Sequence, residues 1–180
     1  MAATRRRILD AATAEFADQG LEATSMAAVA RRADVAAGTV LYHFPTPEDL
    51  ADAVVDSWRS DLQMPSVADI DPAAPLVERF ASLVALLFGL FERSEWAYEI
   101  WRHSPDHPAF VRASEGFYEV VGQMMAVALG ELARDPEAML VTSVIVDPGF
   151  RGTLVSRGLS SERAIEVATE LGVAWLSTRS

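Results

Sequence analysis

Gly38-Thr39-Val40-Leu41-Tyr42-His43-Phe44-Pro45 decides the fold through what precedes it. Upstream, Ile8, Ala12 and Phe16 recur at helical spacing, Leu9 and Ala11 widen that apolar stripe, and Gly20 is placed to end the helix. A second helix starts near Thr24 or Ser25. Either hydroxyl can accept a bond from an unpaired N–H of the first turn, and Met26, Val29, Ala30 and Ala33 supply a buried face. Asp34-Val35 is the turn. A third helix runs only from about Ala36 to His43, too short to stand alone, so Val35, Val40 and Phe44 must brace it on the first two. That arrangement is a helix-turn-helix, and a short braced helix is an element the major groove of DNA admits. Thr46-Pro47-Glu48-Asp49 restarts the chain with a threonine cap, a proline where its missing N–H costs nothing, and acids in the positive first turn. Leu50, Val54, Trp58 and Leu62 continue this fourth helix.

Charge is divided unevenly along the chain. The 180 residues carry a net charge of -11, yet up to residue 45 Arg5, Arg6, Arg7, Arg31 and Arg32 balance Asp10, Glu15, Asp18, Glu22 and Asp34, so the whole acidic excess lies beyond. A strongly acidic protein is a poor match for phosphates, whereas a neutral headpiece with a local Arg5-Arg6-Arg7 cluster can touch them while the remainder is repelled. An arginine triplet at a chain start is ordinarily a solvated terminus; its place ahead of a helix-turn-helix makes it a phosphate contact. Thr24 or Ser25 would join it by presenting a helix end to the backbone of the DNA.

Beyond the fourth helix, proline punctuates further helical patterns. Gln63 to Asp71 is a loop, and Asp71-Pro72 opens a helix with Leu76, Phe80, Leu83, Leu87 and Phe91 at helical spacing. Ser94 to Ser104 is a short aromatic helix, broken by Pro105 and Pro108. A long helix follows from about Ala109 to Arg134. Asp135-Pro136-Glu137 caps the next, in which Asp147-Pro148-Gly149 imposes either a kink or a split. Ser160 or Ser161 caps the last.

The run Arg7-Ile8-Leu9-Asp10-Ala11-Ala12, then Phe16 through Gly20, Ala23-Thr24-Ser25-Met26, Val29-Ala30 and Gly38-Thr39 through His43-Phe44-Pro45 resembles the N-terminal DNA-binding domain of the TetR family of transcriptional regulators. The resemblance implies an all-α protein of about nine helices. It implies a helix-turn-helix headpiece over residues 1–46 and a helical ligand-binding and dimerisation domain over 47–180, in a homodimer that binds a double-stranded DNA operator. The implied activity is that of a repressor released from a palindromic operator by a small, largely apolar effector. Carried over position by position, the groove-facing set is Ala37, Gly38, Thr39, Leu41, Tyr42 and His43. Where the family often has Ser-Lys, this chain has Ala36-Ala37, so the recognition helix lacks a side-chain cap and a cation. Leu41 replaces a frequent tyrosine and Pro47 a frequent lysine. Base reading then leans on methyl contacts and DNA shape.

Phe88, Trp96, Trp101, Phe117, Tyr118 and Met125 are candidate walls of an effector pocket, with Glu99, Arg102 and His103 near enough to fix one polar end. Taken singly, each wall residue reads equally as bundle core, and the resemblance is what implies a cavity among them. In the last helix Ala164, Ala168 and Gly172 form a small-residue stripe near Trp175 and Leu176, a surface for a second copy or for docking within the subunit.

Other classes find less support. The chain has no cysteine, which removes disulfides, thiolate metal sites and cysteine nucleophiles together. No apolar segment follows the first arginines as in a secretory signal, and the longest apolar run, Leu83 to Phe91, is well short of the roughly 20 residues that span a bilayer. A cytoplasmic location without a membrane partner is the expectation. His103 and His107 have a zinc-like spacing, but Pro105 between them spoils the helix. With neither a nucleophile elbow nor a glycine-rich phosphate loop, no enzyme, metal or cofactor is expected. A helical interaction protein that has lost base reading, for which Ala36 and Ala37 speak, is the alternative, and an all-helical enzyme a more remote one.

Overall fold

The computed structural model describes residues 2–61, 63–95, 97, 100, 103–104 and 106–179; the side chains at 58–61, 110, 113 and 115 lie outside the description, as do Trp58 and Leu62 of the expected fourth-helix stripe. The described residues are all-helical, without strands. They divide into two packing units, Met1–Gln63 with Ser94–Glu115, and Met64–Arg93 with Gly116–Ser180.

In the first unit, α1 (Ala2–Gln19) buries Ile8, Ala12 and Phe16 and ends where Gly20, at φ +84, donates its N–H to the Phe16 carbonyl. Helix α2 (Met26–Arg32) is capped by Ser25, whose hydroxyl accepts from the Ala28 N–H at 3.1 Å. Thr24 takes no part in the cap, because its hydroxyl donates to the Gly20 carbonyl at 2.8 Å. The turn passes through Asp34 in the left-handed region at φ 52. Helix α3 (Ala37–His43) begins without a side-chain cap, as Ala36 requires. Helix α4 (Pro47–Asp61) starts on a reciprocal cap in which Thr46 Oγ1 accepts from the Asp49 N–H and the Asp49 carboxylate accepts from the Thr46 N–H.

The packing boundary differs from the one expected at residue 46. Leu50, Ala51, Val54 and Val55 of α4, together with Ile100 and Ala109, are buried in one cluster with Ile8, Phe16, Val29 and Phe44. The seven-residue helices α2 and α3 cannot close a core by themselves, and these side chains complete it. An ion pair between Arg112 and Asp52 adds a polar tie.

In the second unit, α5 is Leu76–Arg93 and starts later than Asp71-Pro72 suggests. Pro75 bars Ala74 from helical backbone, so residues 71–75 form a turn that the Asp71 carboxylate steadies by accepting from the Ala73 N–H. Helix α6 (Pro108–Leu129), of which residues 116–129 belong to this unit, stops short of Arg134 because Gly130 takes φ +60, and Gly130–Arg134 continues as a 3-10 segment. The proline at 148 splits rather than kinks the next element: α7 (Pro136–Ile145) and α8 (Pro148–Ser156) meet at a 43° bend, each capped by its own aspartate, Asp135 and Asp147. Ser160 caps α9 (Ser161–Leu176).

The small stripe of α9 is spent inside the subunit. Ala164, Ala168 and Gly172 are buried, and a Cβ on Gly172 would lie 2.3 Å from the Phe80 ring of α5. Gly172 therefore permits close approach of α9 to α5. Apolar surface that this unit leaves in solvent lies elsewhere and includes Leu140 (63% exposed), Val144 (56%) and Leu171 (52%), along with Tyr118 and Val77.

Candidate nucleic-acid interface

Helix α3 has a hidden side and an offered side. Val40 and the capping Phe44 are buried, while Leu41 is 49% and Tyr42 73% exposed, with Ala37 and Gly38 also exposed and Thr39 and His43 half-buried. Burying an aromatic ring is favourable by a few kcal/mol, so a tyrosine this exposed next to a fully buried valine is placed by something other than the core. The Tyr42 and His43 rings meet edge to face with centroids 5.2 Å apart. Nothing stands within 4 Å of where a Gly38 Cβ would be, and its backbone is not left-handed, so the protein's own packing does not demand glycine there. A bare backbone at that point leaves room for another molecule to come close.

The arginine triplet is folded back onto this motif. Arg5 lies 5.0 Å above the Phe44 ring, Arg6 pairs with Asp10 at 3.0 Å, and Arg7 donates to the Asp34 carbonyl at 3.1 Å, across the turn between α2 and α3. All three are exposed. The Arg7 bond holds a backbone oxygen at the one left-handed non-glycine residue among those described, so it braces the turn as well as offering charge. Ser25 is exposed and Thr24 partly so, and both stand at the entrance to α2.

The loop into α2 has a second anchor. Ser104, almost fully buried, accepts from the Leu21 N–H at 3.0 Å and donates to the Glu22 carboxylate at 2.5 Å. The Ser104 hydroxyl holds the Glu22 carboxyl below its ordinary value, and the nearby His107 adds to the effect. His107 itself accepts from the Ala109 N–H at 3.3 Å through Nδ1, and no cluster of three metal-ligating side chains occurs among the described residues.

Of the nine expected effector residues, five lie among the described residues. Trp96, Glu99, Trp101 and Arg102 lie outside the described residues, and His103 is exposed in the first unit. In the second unit Phe88 and Met125 are buried core, Phe117 is half-buried with its ring 6.3 Å from Phe91, and Tyr118 is exposed. A cleft of about 600 Å³ does occur there, lined by Val67–Pro72 and Val127, and it includes none of the nine. Two polar groups go unsignalled in the sequence. Arg151 is buried, with Nη2 3.6 Å from Glu92 and Nε without a partner among the described residues, and Ser104 sits in a segment that reads only as aromatic helix. Neither has a local sequence signal, since their partners stand 59 and 82 residues away for Arg151 with Glu92 and Ser104 with Glu22.

Comparison with known proteins follows the same division. Residues 8–54 match the family described as bacterial regulatory proteins, tetR family. The HTH-type transcriptional regulator SrpR of Pseudomonas putida is 29% identical over 189 residues, covering 98% of this chain and 85% of its own length. The A-factor receptor protein of Streptomyces griseus is 37% identical over 60 residues, 33% of this chain and 22% of that protein. Among solved structures, a TetR-family member from Streptomyces coelicolor A3 aligns at 28% identity and TM-score 0.63 over 93% of this chain and 97% of its own. The multidrug binding protein EbrR, in complex with imidazole, aligns at 26% identity and TM-score 0.60, covering 93% and 88%. Residues 8–54 thus carry the DNA-binding domain of the tetR family, and over its full length the chain is similar to transcriptional regulators of that family.

Proposed function

We propose that the protein is a ligand-responsive repressor. A homodimer sets two copies of α3 into successive major grooves of a palindromic operator, and a small, largely apolar effector draws it off. The observation that carries this reading is the exposed row Leu41-Tyr42 on a helix whose opposite side, Val40 and Phe44, is fully buried. Groove contacts come from Ala37, Gly38, Thr39, Leu41, Tyr42 and His43, and phosphate contacts from Arg5, Arg6, Arg7, Thr24 and Ser25. Thr39, Tyr42 and His43 supply hydrogen bonds, and Leu41 with Ala37 supplies apolar contact to thymine methyls.

Leu140 and Val144, one turn apart on α7, and Leu171 on α9 support the dimer as an apolar surface for a twofold partner. The effector reading draws on EbrR, which is described as a multidrug binding protein. Such a regulator acts where the DNA is, in the cytoplasm. The test is a gel shift on the DNA upstream of the protein's own gene, joined to light scattering. Retarded DNA and a particle of twice the 19.5 kDa chain mass are expected. A monomer at micromolar concentration would end the twofold mechanism.

A further inference from the structure

The five headpiece arginines differ in what their charge is used for. Arg6 reaches Asp10, and Arg32 is held between Asp18 at 2.7 Å and Glu15 at 3.2 Å, both on α1. Those two carboxylates raise the Arg32 pKa, Asp18 more than Glu15. Arg31, the preceding residue, is exposed and has no ion pair, side-chain hydrogen bond or ring contact among the described residues.

Its direction follows from the helix. Ala28, Val29 and Ala30 of α2 are buried, which leaves Ala27 and Arg31, one turn apart, on a common exposed face. Helical side chains lean toward the N-terminus, and the residue one turn back on this face is Ala27, whose methyl group puts no bulk in the way of a guanidinium. In a helix-turn-helix the first helix crosses the sugar–phosphate backbone while the second enters the groove. A guanidinium matches phosphate with a two-pronged set of donors; Arg32 turns Nη1 to both Glu15 and Asp18, and those two carboxylates cancel the net charge that a phosphate would attract.

We propose that Arg31 binds a backbone phosphate of duplex DNA and is the sequence-independent anchor of α2, while its neighbour Arg32 is committed to α1 and adds nothing to DNA affinity. The inference rests on the reading of α2 and α3 as the DNA-binding motif.

The test measures the affinity of the whole protein for the duplex upstream of its own gene by fluorescence anisotropy across a potassium chloride series, for Arg31→Gln, Arg32→Gln and the unmodified chain. Arg31→Gln should lower the slope of log K against log salt by about 0.9 per bound headpiece, so that its deficit shrinks roughly 3-fold per headpiece between about 50 and about 200 mM salt. Arg32→Gln should keep both slope and affinity. Circular dichroism melting guards against loss of fold, and Arg31→Lys should restore most of the slope, since it restores the charge. An unchanged slope in a folded Arg31→Gln, or an equal loss in Arg32→Gln, overturns the inference while the DNA reading stands. Failure of the unmodified protein to bind the duplex at any salt overturns both.

Discussion

The recognition helix of the helix-turn-helix and the α5–α9 contact of the second unit treat their most prominent aromatic rings in opposite ways. In the first, Tyr42 stands in solvent beside a buried Val40, while in the second Phe80 and Phe88 are sealed and the neighbouring helix gives up a side chain at Gly172 to approach Phe80. In the headpiece the residues proposed to act are those the fold leaves exposed, and a sequence motif records them directly. In the second unit the distinctive residues are those the core consumes, so the same residue types there report packing first.

The strongest challenge to this contrast is Phe80→Ala. Its ring is fully buried against Gly172, so the substitution should cost about 3–5 kcal/mol in a denaturant melt. A loss well below that would mean the α5–α9 contact is not central to the unit. Gly172→Ala probes the same contact from the other side: a Cβ at 2.3 Å from the ring must push helix or ring aside, at a cost of about 1–3 kcal/mol. An unshifted melt would show that the two helices can separate freely.

In the headpiece the comparable structural effect is smaller. Ser25→Ala removes the acceptor for the Ala28 N–H and should destabilise by about 1 kcal/mol, whereas Thr24→Ala leaves that bond intact and should cost less. Equal losses at the two positions would show that Thr24 shares the cap. The smallest effect is the pH response of the Glu22–Ser104 tie. With the Glu22 carboxyl held below its ordinary 4.5, the stability from this bond is complete above that pH and is lost as pH falls through the lowered value. The melting difference between the unmodified protein and Glu22→Gln should be flat above about pH 5 and shrink below about 4.5. A difference that widens on acidification would contradict the assignment.

Helices α1 to α4 are legible in the sequence because apolar spacing and cap residues are local signals: Ile8, Ala12 and Phe16 are spaced for one face, and Thr46 and Asp49 stand at the distance of a reciprocal cap. The choice between Thr24 and Ser25 is not, since it turns on the left-handed backbone of Gly20 that presents its carbonyl to Thr24. Nor is the stop of α6, where Gly130 rather than Asp135 ends regular helix. The enlistment of Ile100 and Ala109 into the headpiece core, and of Gly172 by Phe80, depends on partners distant in sequence, which no local spacing encodes. The proposed groove-facing set is carried over from the family motif. The effector walls are not, because aromatic and methionine residues at helical spacing describe a filled core as well as a lined cavity.

The central claim is that the exposed side of α3 reads DNA, and the direct measurement is the affinity of Tyr42→Ala and Thr39→Ala for the upstream duplex, taken with their melting temperatures. Tyr42 is largely exposed, so its removal should leave the melt in place while weakening binding by roughly 1 to 3 kcal/mol, with a smaller loss at Thr39. Unaltered affinity in both variants, with the fold intact, would contradict the docking of α3 in the groove.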